Sequence, residues 1–450
     1  MIVLSALLWI IATTGGRELF VKEILGGAFD SQAEQFLRGD VDVDGDAIRW
    51  EAMIVNGHTR MYFGAFPALL RVPLNAMYPA GRGAWSRLSG FLAAEVALLA
   101  FAGLLSDALR ASTLSTHWRR WLGGAGLVAF VFATPLLFLL GNMAIYSEAI
   151  IWAFAWSISA IYFAWHSRTA EGRSLTLSLL GFSISAGFAL LSRLTFGAPV
   201  LLIALLLALR FVRQKNMRPL VALFLPLVAA LTFHLFLSYA RFGNFSGINF
   251  DSYVNPVHRE VAHKYGIFRL DRLPYGFADY FDLHLPPIQS HPPFFSVDRR
   301  FANFPPSYSL PFSETYVPVT WASAWLVAGA IRGLICLLRR RGADLFQLGG
   351  TAAFAGQSLL ILCFFTLAQR YSTELYPFLI FCTVLFLRQS GKILPATRWT
   401  FAALIPLSIF MNFFATASWL QHDGSLPRET RLFWSAISGG HVSIPAPNKP

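Results

Sequence analysis

PLVALFLPLVAALTFHLFLSY, residues 219–239, runs for roughly twenty positions without a charged side chain. A helix of that length is about 30 Å long, the thickness of a bilayer's hydrocarbon core. Working outward, comparable apolar runs fall at 1–14, 90–109, 121–140, 144–165, 175–191, 198–209, 318–338, 345–365, 371–387 and 399–420. The chain has 450 residues, 55% hydrophobic and only 13% charged, with 42 Phe and 13 Trp. A soluble domain of this size carries about 25% charged residues. The expected fold is therefore all-α: a polytopic helical membrane protein of about eleven transmembrane helices with two substantial extracytoplasmic loops. The run at 1–14 lacks a basic flank and so makes a poor signal peptide. It reads as a helix continuing into 15–25, or as the product of a misassigned start. The run at 198–209 is short and pairs with 175–191 as a helical hairpin.

Charge sets the expected orientation. Alternate connections hold Arg110, Arg119, Arg120, Arg168, Arg173, Arg210, Arg213, Lys215, Arg218, Arg339, Arg340, Arg341, Arg388, Lys392 and Arg398, fifteen cations against only Arg193 and Arg370 in the opposite short connections. The positive-inside rule places the fifteen in the cytoplasm. One multi-span domain, 1–420, then carries extracytoplasmic loops at 15–61 and 241–317, and 421–450 forms a short extracytoplasmic tail. The net charge of +12 is mostly topological, and no basic stripe points to nucleic acid. Cys336, Cys363 and Cys382 all fall in apolar runs, which suggests no disulfide framework. Loop 241–317 is rich in Pro, Phe, Tyr and His, a composition that suits an ordered structure lying against the membrane.

With that topology, Asp30, Glu51, Glu148, Arg193, Arg370, Tyr371 and Glu374 converge on one water–lipid boundary. A lipid-linked sugar phosphate presents its phosphate at that depth, and guanidinium groups grip phosphate oxygens with paired donors. A nearby carboxylate can take a proton from an incoming hydroxyl. Each residue also has a plainer reading: the arginines as snorkelling side chains, the glutamates as helix caps or as their ion-pair partners. Glu95 lies inside its span, where it is either neutral or paired within the bundle, and His234 reads as a bundle histidine.

The first loop carries a resemblance. "FDSQAEQFLRGDVDVD" followed by "EAMIVNGHTRMYFGAFPALLRVPL" resembles the first loop of GT-C superfamily integral-membrane glycosyltransferases. That group includes the protein O-mannosyltransferases, the lipid A aminoarabinose transferases and the mycobacterial arabinosyltransferases. The matching pieces are Asp30, residues 33–37, Gly39 and Asp40, Asn56 and Gly57, Tyr62 and Phe63, and Pro67; Arg370, Tyr371 and Pro377 match a late signature. The resemblance implies a cell inner-membrane enzyme with its active site on the extracytoplasmic face. It would move a sugar from a polyprenyl-phosphate donor to a hydroxyl on a glycan, lipid or protein, with inversion. Asp30 would be the catalytic base, and Arg370, Tyr371, Glu374, Arg193, Glu148, Glu51 and Tyr62 would bind substrate. Ser31 follows Asp30 where many relatives carry a second acid, which counts against a metal at Asp30.

"DVDVDGDAIRWE", residues 40–51, also satisfies a calcium-loop template through Asp40, Asp42, Asp44 and Glu51. A strand-like stretch follows Glu51 where an EF-hand needs a helix, so the EF-hand is rejected. A lone divalent cation (Ca, Mg or Mn) at these acids stays open, with no certain cofactor. Two rival functions remain: a ligase- or polymerase-like transferase acting through His258, Arg259, His263, His284 and His291, and a lipid or sugar transporter.

Overall fold

The computed structural model describes residues 1–248, 250–297, 314, 316–339, 344–389 and 395–440. The helices are α1 (Ile2–Ala12), α2 (Gly27–Leu37), α3 (Gly45–Ile48), α4 (Phe66–Met77), α5 (Ser86–Ala111), α6 (Thr116–Phe132), α7 (Leu136–Gly141), α8 (Ile145–His166), α9 (Gly172–Ser192) and α10 (Leu194–Arg213). They continue with α11 (Arg218–Phe242), α12 (Pro256–Tyr265), α13 (Leu273–Tyr280), α14 (Val319–Ala322), α15 (Ala324–Arg339), α16 (Leu345–Leu362), α17 (Tyr376–Gln389), α18 (Pro395–His422) and α19 (Arg428–Ser438). Among the described residues the only sheet is a hairpin, β1 (Met53–Val55) with β2 (His58–Arg60). The protein is an all-α membrane protein.

Each apolar run holds a helix or a broken pair, and 7 helices are long and apolar enough to cross a membrane: α5, α8, α9, α10, α11, α16 and α18. The other four runs depart from a uniform span. Run 1–14 gives only the 11 residues of α1, while 371–387 opens as a 3-10 turn (Gln369–Leu375) before the 14 residues of α17. Run 121–140 breaks between α6 and α7, and 318–338 breaks at Ser323 between α14 and α15. Pro135 explains the first break, because the residue before proline is pushed out of the helical region. Backbone carbonyls released inside a bundle need partners. Asn412 of α18 donates to the carbonyls of Phe132 at 2.8 Å and Thr134 at 3.1 Å. Ser323 Oγ donates to the Ala133 carbonyl at 2.5 Å and meets the Tyr376 hydroxyl at 2.7 Å. The second break thus supplies one donor to the first, and α18 supplies the others. Glu95 also finds its partner, the Ser5 hydroxyl of α1 at 2.9 Å.

The helix ends sort the charges. Arg193 alone separates α9 from α10, so the expected hairpin is present and α10 is longer than expected. At the other end Arg168 stacks on Trp165 and Phe346 and pairs with Asp344, and Arg388 stacks on Trp165. Arg340, Arg341 and Lys392 of the expected cytoplasmic set lie outside the described residues.

The segment from α2 to α4 docks on the end of the bundle where Arg193 joins α9 to α10. Its hairpin turns through Asn56 and Gly57, both at positive φ (52° and 81°), the conformation that a two-residue hairpin favours. A Cβ at Gly64 would strike the carbonyl oxygens of Leu191 and Ser192, so only glycine lets the segment approach α9 this closely. Val254 donates its backbone N–H to Ala52 at 2.9 Å, joining this segment to the second long connection.

Arg87, 3% exposed, ties these parts to the C-terminal helix. It donates to Glu23 at 2.6 Å, to Thr14 at 2.6 Å and to Thr430 of α19 at 2.8 Å. The expected tail is thus anchored up to α19, with Trp434 fully buried; residues 441–450 lie outside the described residues. Thr430→Val removes a hydrogen bond to a buried cation and should cost about 1.5–3 kcal/mol. Limited proteolysis should then release α19 at a lower temperature; unchanged protection would show that Trp434 packing alone holds the helix.

Candidate functional site

Two polar clusters form at the end of the bundle that carries Arg193 and Arg370. The first is buried. Arg71 of α4 is 0% exposed and Asp30 of α2 is 4% exposed, and Arg71 Nε lies 3.5 Å from Asp30 Oδ2. Arg71 Nη2 donates to Glu148 Oε1 of α8 at 2.5 Å, and Glu148 is also 0% exposed. One guanidinium thus stands between two carboxylates. Burial pushes the Asp30 carboxyl above the usual range, opposed by Arg71 and by the Asn75 side chain. α2 is placed by Phe29 and Ala28, which pack in a small apolar cluster with Met61, Phe63, Ile145 and Ala149.

The second cluster is larger and reaches solvent. Glu51 accepts from the hydroxyls of Tyr62 at 2.6 Å and Tyr146 at 2.5 Å, and from that of Tyr253. Burial, then the Glu51 carboxylate, raises the Tyr62 and Tyr253 phenols, so both stay protonated donors. The Arg370 guanidinium carbon sits 4.6 Å from the Tyr146 ring centre and 4.9 Å from that of Tyr371. Arg193 stacks on the same Tyr371 ring at 5.4 Å and donates to Glu374 Oε1 at 2.7 Å. Arg370 also pairs with Glu314. Burial acts against its charge, but Glu314 more than offsets this and the guanidinium stays ionised.

Beside this network lies a cavity of about 660 Å³. Tyr146, Glu314 and Arg370 line one side, and Ser418, Trp419, His422 and Asp423 at the end of α18 line another. Gln289 and Ser296 add further polar groups. An indole surrounded by hydroxyls, amides, two carboxylates and a guanidinium suits a polyhydroxylated ligand.

The expected residues therefore split. Glu51, Tyr62, Arg193, Arg370, Tyr371 and Glu374 form one connected network through stacking and hydrogen bonds. Asp30 and Glu148 share Arg71 instead, and neither belongs to the cavity wall. Arg71, Glu314 and His422 escaped the sequence reading. Arg71 had one visible signal, a lone cation within "ALLRVPL" of the motif-bearing stretch. Of the loop histidines, His258 stacks on Tyr253 at 5.2 Å, His263 pairs with Asp251 and His284 with Asp282; the cavity's histidine is His422.

The divalent-cation set does not assemble. Asp40 Oδ1 accepts from the backbone N–H groups of Val41 and Asp42, Asp42 pairs with Arg60 and His58, and Asp44 caps α3 through the Asp46 N–H. Glu51 turns away to the tyrosines because Arg49 adopts φ 50°, which redirects the short turn of residues 49–51. Among the described residues no group of three or more His, Cys, Asp or Glu is placed to hold a metal ion. The acids of residues 40–51 do not fit the ion that their spacing suggests.

No protein-family model, no curated protein and no solved structure matches this chain.

Proposed function

We propose that this chain is an integral-membrane glycosyltransferase that moves a sugar from a polyprenyl-phosphate donor to a hydroxyl acceptor on the extracytoplasmic side. Of the eleven spans that the hydropathy pattern implies, the shorter four would complete the crossing as broken or tilted helices. The observation that carries the reading is the cavity beside Arg370, whose guanidinium stacks on two aromatic rings in a wall shared with Trp419 and two carboxylates.

Arg370 would hold the departing phosphate, which would exchange with Glu314 for the guanidinium donors. Arg193 supports it through the shared Tyr371 ring. Tyr62, Tyr146 and Tyr253 hold Glu51, which keeps Tyr146 in place under Arg370. Trp419 gives the sugar a flat apolar face. Asp30 is the proposed base: burial raises its pKa above that of a free carboxylate, which makes it the stronger proton acceptor. It is 4% exposed, so an acceptor hydroxyl reaches it only if the first loop moves.

One observation favours a second reading of the same chemistry. The carboxylates in the cavity wall are Glu314 and Asp423, not Asp30. One of these would then be the base, with Asp30 a counterion of Arg71.

The experiment is transfer by purified protein in nanodiscs, supplied with a panel of prenyl-phosphate sugars. Arg370→Gln should lower kcat about 100-fold by removing charge stabilisation of the leaving phosphate. Turnover within about twofold of the parent, at equal folded yield, would remove the phosphate role from Arg370.

A further inference from the structure

We propose that a groove at the opposite end of the bundle, between the last turns of α5 and the first turns of α6, binds the phosphate headgroup of an anionic phospholipid. α5 runs Ser86–Ala111 and is about 39 Å long, and the groove lies at its C-terminal end. The groove there encloses about 250 Å³ and carries Arg110, Arg119 and Arg120 above a wall that includes Leu105, Leu109 and Leu127.

Three features point to a lipid. Charge is the first. Arg110 is paired with Asp107, whereas Arg119 and Arg120 make no ion pair among the described residues. Arg119 is fixed by an Nε–H donated to the Leu114 carbonyl at 2.8 Å, so a guanidinium is held in place with an anion's position open beside it. Depth is the second. Trp118 lies edge-on to Trp121 at 5.7 Å and to Trp399 at 5.6 Å, and indoles cluster at headgroup level. The arginines share their helical turns. Access is the third: Leu99, about one turn deeper than Ala102 of the groove, is 61% exposed on the face that meets acyl chains. Gly123 supplies the room, because a Cβ there would meet only Leu109 Cδ1, at 3.6 Å. A phosphate at the arginines with one acyl chain along Leu105 and Leu127 uses every part of the groove.

The test uses the full-length protein, delipidated in detergent and titrated with phosphatidylglycerol or phosphatidylcholine of matched chains, with bound lipid counted by native mass spectrometry. Phosphatidylglycerol should be retained preferentially. R119Q/R120Q should weaken it about tenfold or more. G123L, which keeps both charges and fills the apolar part, should weaken it too. R213Q/K215Q, which removes two cations elsewhere at the same end, should leave it unchanged. The proposal is overturned if G123L binds like the parent, if R213Q/K215Q loses as much as R119Q/R120Q, or if inorganic phosphate alone displaces the lipid, which would make the groove a soluble-phosphate site.

Discussion

Arg71→Met should leave little folded protein. Arg71 is fully buried and faces two buried carboxylates, with Nε 3.5 Å from Asp30 and Nη2 2.5 Å from Glu148. Methionine keeps most of the volume and removes the charge, stranding two acids that share one pocket. Breaking a buried pair by removing one partner costs about 3–5 kcal/mol, comparable with the whole stability of many domains. Protonation of Asp30 would recover part of this, since burial already raises that carboxyl. The cost therefore falls on Glu148 in α8, the helix that carries Tyr146 at its opposite first-turn position. Fluorescence-detected size exclusion should show aggregation or loss of the monodisperse peak. The triple variant D30N/R71M/E148Q, with no charge left to bury, should regain most of the peak. A native-like Tm for Arg71→Met, within about 2 °C, would mean that the two carboxylates reach water once the guanidinium is gone.

How far the sequence carried this picture follows from the kind of signal each part leaves. Long uncharged runs are read directly, because a span must be apolar over its whole length; α5, α8, α9, α10, α11, α16 and α18 came out that way. The breaks at residues 133–135 and at Ser323 did not. Pro135 was visible, but the helix could be broken there only because Asn412 and Ser323, far along the chain, donate hydrogen bonds to the released carbonyls. In the candidate site, lone charges in uncharged turns were legible, and Arg193, Arg370 and Glu374 do meet around Tyr371. Which carboxylate belongs to which arginine was not. Asp30, Glu148 and Arg71 come from three helices whose mutual placement depends on contacts such as Gly64 against α9. The acids of residues 40–51 misled for a related reason: spacing specifies residue types, and a single positive φ at Arg49 decides where Glu51 points.

Asp30→Asn should abolish sugar transfer while the protein folds normally. The folding half follows from charge counting at Arg71. With Asp30 neutral, one guanidinium still faces one carboxylate, Glu148 at 2.5 Å, and a buried acid with a raised pKa is no longer strained by its own charge. Amide for carboxyl also conserves shape, so a stability loss is not expected. The activity half follows from the base role. A positioned general base contributes about 10²–10⁴-fold, and asparagine cannot accept the proton. The pH profile separates this from a structural role. A base works only when deprotonated, so the parent rate should fall as pH drops through the Asp30 pKa, and that acid limb should lie above the usual carboxylate range. Residual activity in Asp30→Asn should lack that limb. Glu314→Gln provides the contrast, because Glu314 lines the cavity and pairs with Arg370. It should change donor KM more than kcat if Asp30 is the base. Should Asp30→Asn instead turn over at near-parent rate with the acid limb intact, while Glu314→Gln loses both, the proton goes to the cavity wall and Asp30 is only the second anion of Arg71.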